Sequence, residues 1–108
     1  ANRIVYFDFD SYVVRDDARP VIDLNAKALA ANKAKKMSAE GHTDDRGGRE
    51  YNLALGQKRA EAVVRALTLA GAADGQVEAV SFGKERPAAV GSEEAAYAKN
   101  RRVELISR

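Results

Sequence analysis

Between Ile4 and Asp10 the chain alternates, with Val5, Phe7 and Phe9 on one side and Tyr6, Asp8 and Asp10 on the other. A period of two in aromatic and β-branched residues predicts a half-buried strand. Ser11 and Tyr12 open a connection to Asp16 and Asp17, either of which can cap a helix whose first turn tolerates Pro20. From Val21 to Ala31 the apolar positions Val21, Leu24, Ala28 and Ala31 recur at helical spacing, and Asn32 with the lysines after it suits the helix end.

Met37 to Thr43 is a second, shorter strand, with Met37, Ala39 and Gly41 facing one way and Ser38, Glu40 and His42 the other. Gly47 and Gly48 predict a tight turn with positive φ. A long helix follows from about Asn52 to Ala70, closed by Gly71. Leu53, Gly56, Ala60, Val63, Val64 and Leu67 share its core face, while Lys58, Glu61 and Arg65 lie opposite. Asp74 and Gly75 mark a turn before a third strand, Val77 to Phe82. After a loop from Gly83 to Gly91, Ser92, Glu93 and Glu94 start a short helix that ends near Asn100, and Val103 to Ser107 is the last strand. The order β-α-β-α-β-α-β predicts a single sheet with its helices packed against it, an α/β (α+β) sandwich.

Composition narrows the class. The 108 residues suit one domain spanning 1–108, and 45% apolar with 31% charged residues describes a folded, alanine-rich chain. Its 18 basic and 16 acidic residues are interleaved, which disfavours a nucleic-acid surface, where cations usually segregate on one face. There is no cysteine, hence no disulfide or thiolate chemistry. No apolar run approaches the ~20 residues of a membrane span, and no signal sequence opens the chain.

Candidate chemistry concentrates between Gly41 and Arg59, which hold the single histidine, adjacent aspartates and a double glycine. Asp44 follows the second strand, at the carboxyl end where α/β sheets commonly place ligand contacts. Arg59 follows Asn52 by almost two helical turns, so the two project from one side, roughly 10 Å apart along the axis. The helical wheel puts both on the shoulder of the apolar face, with the guanidinium fork available. An Asp on the loop and an Arg on that shoulder could hold a zwitterionic group, because a carboxylate accepts from an ammonium and a guanidinium matches a carboxylate. The same two side chains could instead pair with each other or with solvent.

Other readings are weaker. Glu40, His42 and Asp44 alternate along one side of the strand, but one histidine and no cysteine make a poor zinc set, so neither metal nor cofactor is expected and His42 is read as a hydrogen-bonded scaffold residue. Ser38, Thr43 and Ser81 lack a nucleophile elbow or triad, which argues against an enzyme. No lysine followed by Ser or Thr accompanies the glycine pair, so it is no phosphate loop.

Four stretches carry a family resemblance: YFDFDS from Tyr6, GHTDDRGGREYNLALGQKRAEAV from Gly41, SFGKERP from Ser81 and AYAKNRRVEL from Ala96. In this order they resemble the OmpA-like peptidoglycan-binding domain, and within it the lipoprotein branch that works with the Tol proteins, which implies that the four strands form one mixed sheet. The resemblance implies non-covalent binding of the peptidoglycan stem peptide through meso-diaminopimelate, at the periplasmic face of the outer membrane. It implies Asp44 for the ammonium and Arg59 for the carboxylate, with Asn52 and Leu55 lining the pocket. Phe9 and Asp10 would form its rim, with Arg46 as a further contact. Asn100, Arg101 and Arg102 match a motif of mainly structural role. The partners implied are the stem peptide and TolB, with possible contacts to other Tol or outer-membrane proteins, and the domain is expected to be a monomer. Alternatives within the resemblance are a module acting mainly through TolB, or the corresponding domain of another outer-membrane or flagellar stator protein. Asp45 stands where members often carry Glu, and the lipidated cysteine and tether are not in this sequence, so membrane anchorage rests on the family alone.

Overall fold

The computed structural model describes residues 3–108. Its elements are β1 (Ile4–Tyr6), α1 (Arg19–Ala31), β2 (Met37–His42), α2 (Arg49–Leu69), β3 (Val77–Gly83), α3 (Glu94–Asn100) and β4 (Arg102–Ser107). The strands form one sheet in the order β1-β4-β2-β3. β2 and β3 run parallel through the connection made by α2, whereas β4 pairs antiparallel with β1 and β2, so the sheet is mixed as expected.

One face of the sheet carries the core. Val5, Met37, Ala39, Val103 and Leu105 meet Ile22, Ala26 and Leu29 of α1 and Ala60, Val63 and Leu67 of α2. Small residues on β2 let α2 approach closely. Gly71 ends α2 region with φ +129, and the amides of Gly71 and Ala72 return to the carbonyls of Thr68 and Leu67, closing the helix as its glycine predicts.

Several local expectations need correction. β1 stops at Tyr6: one more bond, from the amide of Phe7 to the carbonyl of Arg101, follows in the same register before the chain turns through Asp10, whose φ is +53. Phe9 is therefore 60% exposed and lies off the core. Asp16 and Asp17 form a single 3-10 turn, Asp16–Ala18, and neither side chain caps α1. The buried face of α1 is Ile22, Asn25, Ala26 and Leu29, not the predicted set, and Leu24 is 53% exposed. In an alanine-rich helix more than one apolar stripe fits the period, and the stripe bearing Ile22 and Leu29 fills the core. α2 begins at Arg49, before Asn52, with Gly48 at its N-cap in ordinary extended backbone. Only Gly47 of the glycine pair takes positive φ. Glu93, rather than Ser92, occupies the cap of α3.

Candidate functional site

β2 bulges between Gly41 and His42 at its pairing with β3, and the chain leaves the sheet through Thr43 and Asp44. The loop to α2 turns back at Gly47, held by the Asn52 amide donating to the carbonyl of Arg46 at 2.9 Å. Beside it, the turn after β1 brings Phe9 and Asp10 alongside α2. Together these segments form an open cleft of about 290 Å³, lined by Phe9, Asp10, Thr43, Asp44, Arg46, Gly47, Tyr51, Asn52, Leu55 and Arg59. All seven residues singled out from the sequence thus line one cleft. Thr43, Gly47 and Tyr51 were missed, although each lies within the singled-out stretch.

Asp44 is 5% exposed. Its Oδ1 accepts from the backbone amide of Arg46 at 3.1 Å and from Arg46 Nε at 3.2 Å, and its Oδ2 accepts from the Arg46 guanidinium at 2.7 Å. Arg101 approaches Oδ2 from another side at 3.6 Å. Burial pushes the carboxyl pKa up, but the hydrogen bonds from the side chain and backbone of Arg46 outweigh it and hold the group below its ordinary value. Asp44 is an ionised, oriented acceptor. Arg46 is itself clamped, with its guanidinium carbon 4.2 Å from the Phe9 ring centre and 4.1 Å from that of Tyr97.

Arg59 departs from the shoulder position predicted for it: it is 1% exposed. Nε donates to the carbonyl of Ser11 at 2.7 Å, and the terminal nitrogens donate to His42 at 3.0 Å and Asp8 at 3.1 Å. The guanidinium thus gathers the carbonyls at the ends of β2 and of the segment after β1. Neither of the simple pairings holds, since Asp44 is paired to Arg46 and Arg101 and Arg59 to backbone. A guanidinium has five N–H donors, so these bonds commit part of the fork and leave the rest for the cleft it lines. Burial lowers its pKa to about 10, which keeps it charged at neutral pH.

At the rim the Tyr51 hydroxyl donates to Asp10, which raises the phenol pKa. Arg101 donates from Nε to the carbonyl of Phe7 at 2.9 Å and pairs with Glu94 at 2.8 Å, so a residue read as structural also holds Asp44. Asn100 pins the loop before α3 through the amides of Ala88 and Ala89 and the carbonyl of Ala89.

His42 is not the hydrogen-bonded scaffold expected. It is 2% exposed, its ring stacks on Phe82 at 5.6 Å, and neither ring nitrogen has a hydrogen-bond partner. Burial, with Arg102 nearby, pushes its pKa down to about 4, so the ring is neutral. Asp44 does not join Glu40 and His42; the carboxylate that does is Glu104 of β4.

The family model for OmpA matches residues 6–101, and the chain belongs to the OmpA family. Within that family its likeness is to the peptidoglycan-associated lipoproteins. That of Pseudomonas aeruginosa is 50% identical over 100 residues, 93% of this chain and 59% of the relative. The chain therefore spans about three fifths of that relative's length. The crystal structure of the peptidoglycan-associated lipoprotein from Burkholderia pseudomallei superposes with a TM-score of 0.95 at 53% identity, covering 98% of this chain and 90% of that one. The C-terminal domain of Helicobacter pylori MotB shares the fold at a TM-score of 0.86 but only 25% identity, covering 96% and 81%.

Proposed function

We propose that this chain binds the stem peptide of peptidoglycan non-covalently, gripping the side-chain end of meso-diaminopimelate. Asp44 takes the ammonium and Arg59 the carboxylate, while Leu55 and Phe9 cover the methylene chain and Asn52, Asp10 and Arg46 complete the walls. The observation that carries this reading is the pairing, in one cleft, of a buried oriented carboxylate with a buried guanidinium whose fork is only partly committed. Both groups arrive desolvated and fixed, so a zwitterion meets them without reorganisation. The names of the relatives support the same ligand class. In the whole protein this binding would link the outer membrane to the wall from the periplasmic side, through a lipid-anchored tether.

The test compares stem peptides of the diaminopimelate and lysine types by calorimetry, because only the former offers a carboxylate beside the terminal amine. Losing one charge-assisted contact should weaken the lysine type by about tenfold or more. Asp44→Asn, checked for folding by circular dichroism, should weaken the diaminopimelate peptide comparably. Equal affinity for the two peptides would sink the assignment of Arg59 to the carboxylate.

The exposed aromatic rim of Phe9 and Tyr51 also suits a protein surface, and TolB is the partner we place there. TolB and stem peptide should then compete in a titration, whereas independent binding would separate the two sites.

A further inference from the structure

The sheet face turned away from α1 and α2 carries an arrangement the cleft does not use. Glu40 and Glu104 sit directly opposite each other in the pairing of β2 with β4. Like charges at such positions destabilise a sheet. His42 lies two residues along β2, and its ring nitrogen and a carboxylate oxygen from each glutamate all fall within 4.8 Å of one another.

Two features point to a ligand at this place. The imidazole is almost fully buried with both nitrogens unpartnered, a costly state for polar atoms. No ion pair involves Glu40 among the described residues, whereas Glu104 opposite it is paired with Arg102. Glu104 is already oriented, since Arg102 Nε donates to its Oε2 at 2.6 Å and leaves Oε1 for another contact. Arg102 is in turn fixed by the carbonyls of Asn100 and Arg86.

We propose that Glu40, His42 and Glu104 form a binding site for a divalent transition-metal cation such as zinc, which accepts both imidazole and carboxylate ligands, though with one histidine the set is weaker than a His- or Cys-rich one. The neutral ring supplies its lone pair and each glutamate one oxygen, with solvent completing the coordination. A dication converts the repulsion across β2 and β4 into a shared bond. Arg102 stays on Glu104 Oε2, the kind of outer contact that orients a ligating carboxylate. None of the three side chains lines the cleft, so the site stands independently of the proposed peptide binding.

The test titrates tag-free protein with zinc alone, by calorimetry and by nitrogen-detected NMR of the imidazole. With one histidine in the chain, that signal is unambiguous. The expected result is one zinc per chain, large shifts of the His42 ring nitrogens, and affinity lowered by about tenfold to a hundredfold in both Glu40→Gln and Glu104→Gln. Glu40→Gln should also raise the stability of the metal-free protein while lowering its zinc affinity, opposite signs that a purely structural glutamate would not give. Absence of stoichiometric binding, binding that leaves the His42 resonances unmoved, or undiminished affinity in Glu40→Gln would each overturn the proposal.

Discussion

The backbones of Gly41 in β2 and Gly56 in α2 touch: a Cβ built on Gly41 would lie 1.9 Å from the carbonyl oxygen of Gly56. A Cβ on Gly56 would meet Ser81 Oγ at 2.3 Å and the Gly41 carbonyl oxygen at 3.0 Å. This contact sets the height of α2 over β2, and with it the positions of Asn52, Leu55 and Arg59 over the strand end that delivers Asp44. Gly41→Ala has a rigid carbonyl to displace and should lose more than about 3 kcal/mol. Gly56→Ala displaces a hydroxyl that can rotate and gains helix propensity of about 1 kcal/mol. It should be the milder change, read from urea midpoints, and the reverse ranking would refute the close approach as the cause.

How much of this was legible follows from what is local. Gly41 fell on the inward side of β2 and Gly56 on the inward face of α2 by simple periodicity, and both are buried. That their backbones meet depends on how the helix crosses the strand, which no short window contains. The same limit explains α1, where alanines made several apolar stripes plausible and only the shape of the core chose Ile22 and Leu29. The wheel placed Arg59 at a boundary because it counts polarity and cannot see three carbonyls converging from Asp8, Ser11 and His42. Glu104 was out of reach for a further reason: it joins His42 only through the pairing of β2 with β4.

Arg59→Lys separates charge from geometry. Lysine keeps the positive charge but presents its donors from a single point, so it cannot serve the carbonyls of Asp8, Ser11 and His42 together. We expect a stability loss of about 2–4 kcal/mol from the buried carbonyls left unpaired, together with lost peptide binding. Denaturant unfolding and calorimetry on the same preparation check both. A variant as stable as the parent would show that the three bonds carry little of the fold.

Gln76 offers a test away from the cleft. The two N–H groups of its side-chain amide are shared among the carbonyls of Leu29, Asn32 and Lys35, and its Oε1 accepts from the amide of Ala73 at 2.8 Å. It thereby ties the end of α1 to the turn before β3. Gln76→Glu replaces the donor with an acceptor facing three carbonyls, and should cost about 2–4 kcal/mol at neutral pH. Part of that loss should return in acid, where the carboxyl can donate again. A pH-independent cost would point to packing instead of hydrogen bonding.

Asp44 predicts the acid response of the cleft itself. Burial alone would raise its pKa, yet the hydrogen bonds from Arg46 and the nearby Arg101 bring the folded value below the ordinary 3.8. Below that ordinary value the unfolded chain takes up the proton first, so it binds more protons than the folded protein and stability rises with pH. The contribution is fully present above pH 3.8 and is lost as the pH falls through the folded pKa. The stability gap between the parent and Asp44→Asn should therefore be constant near neutrality and shrink as the pH drops below 3.8. Peptide binding should fade over the same window, because a protonated Asp44 no longer carries the charge that draws an ammonium. Urea midpoints and calorimetry across this range measure both, and a gap that stays constant or widens in acid would show that Arg46 does not hold Asp44 in its ionised form.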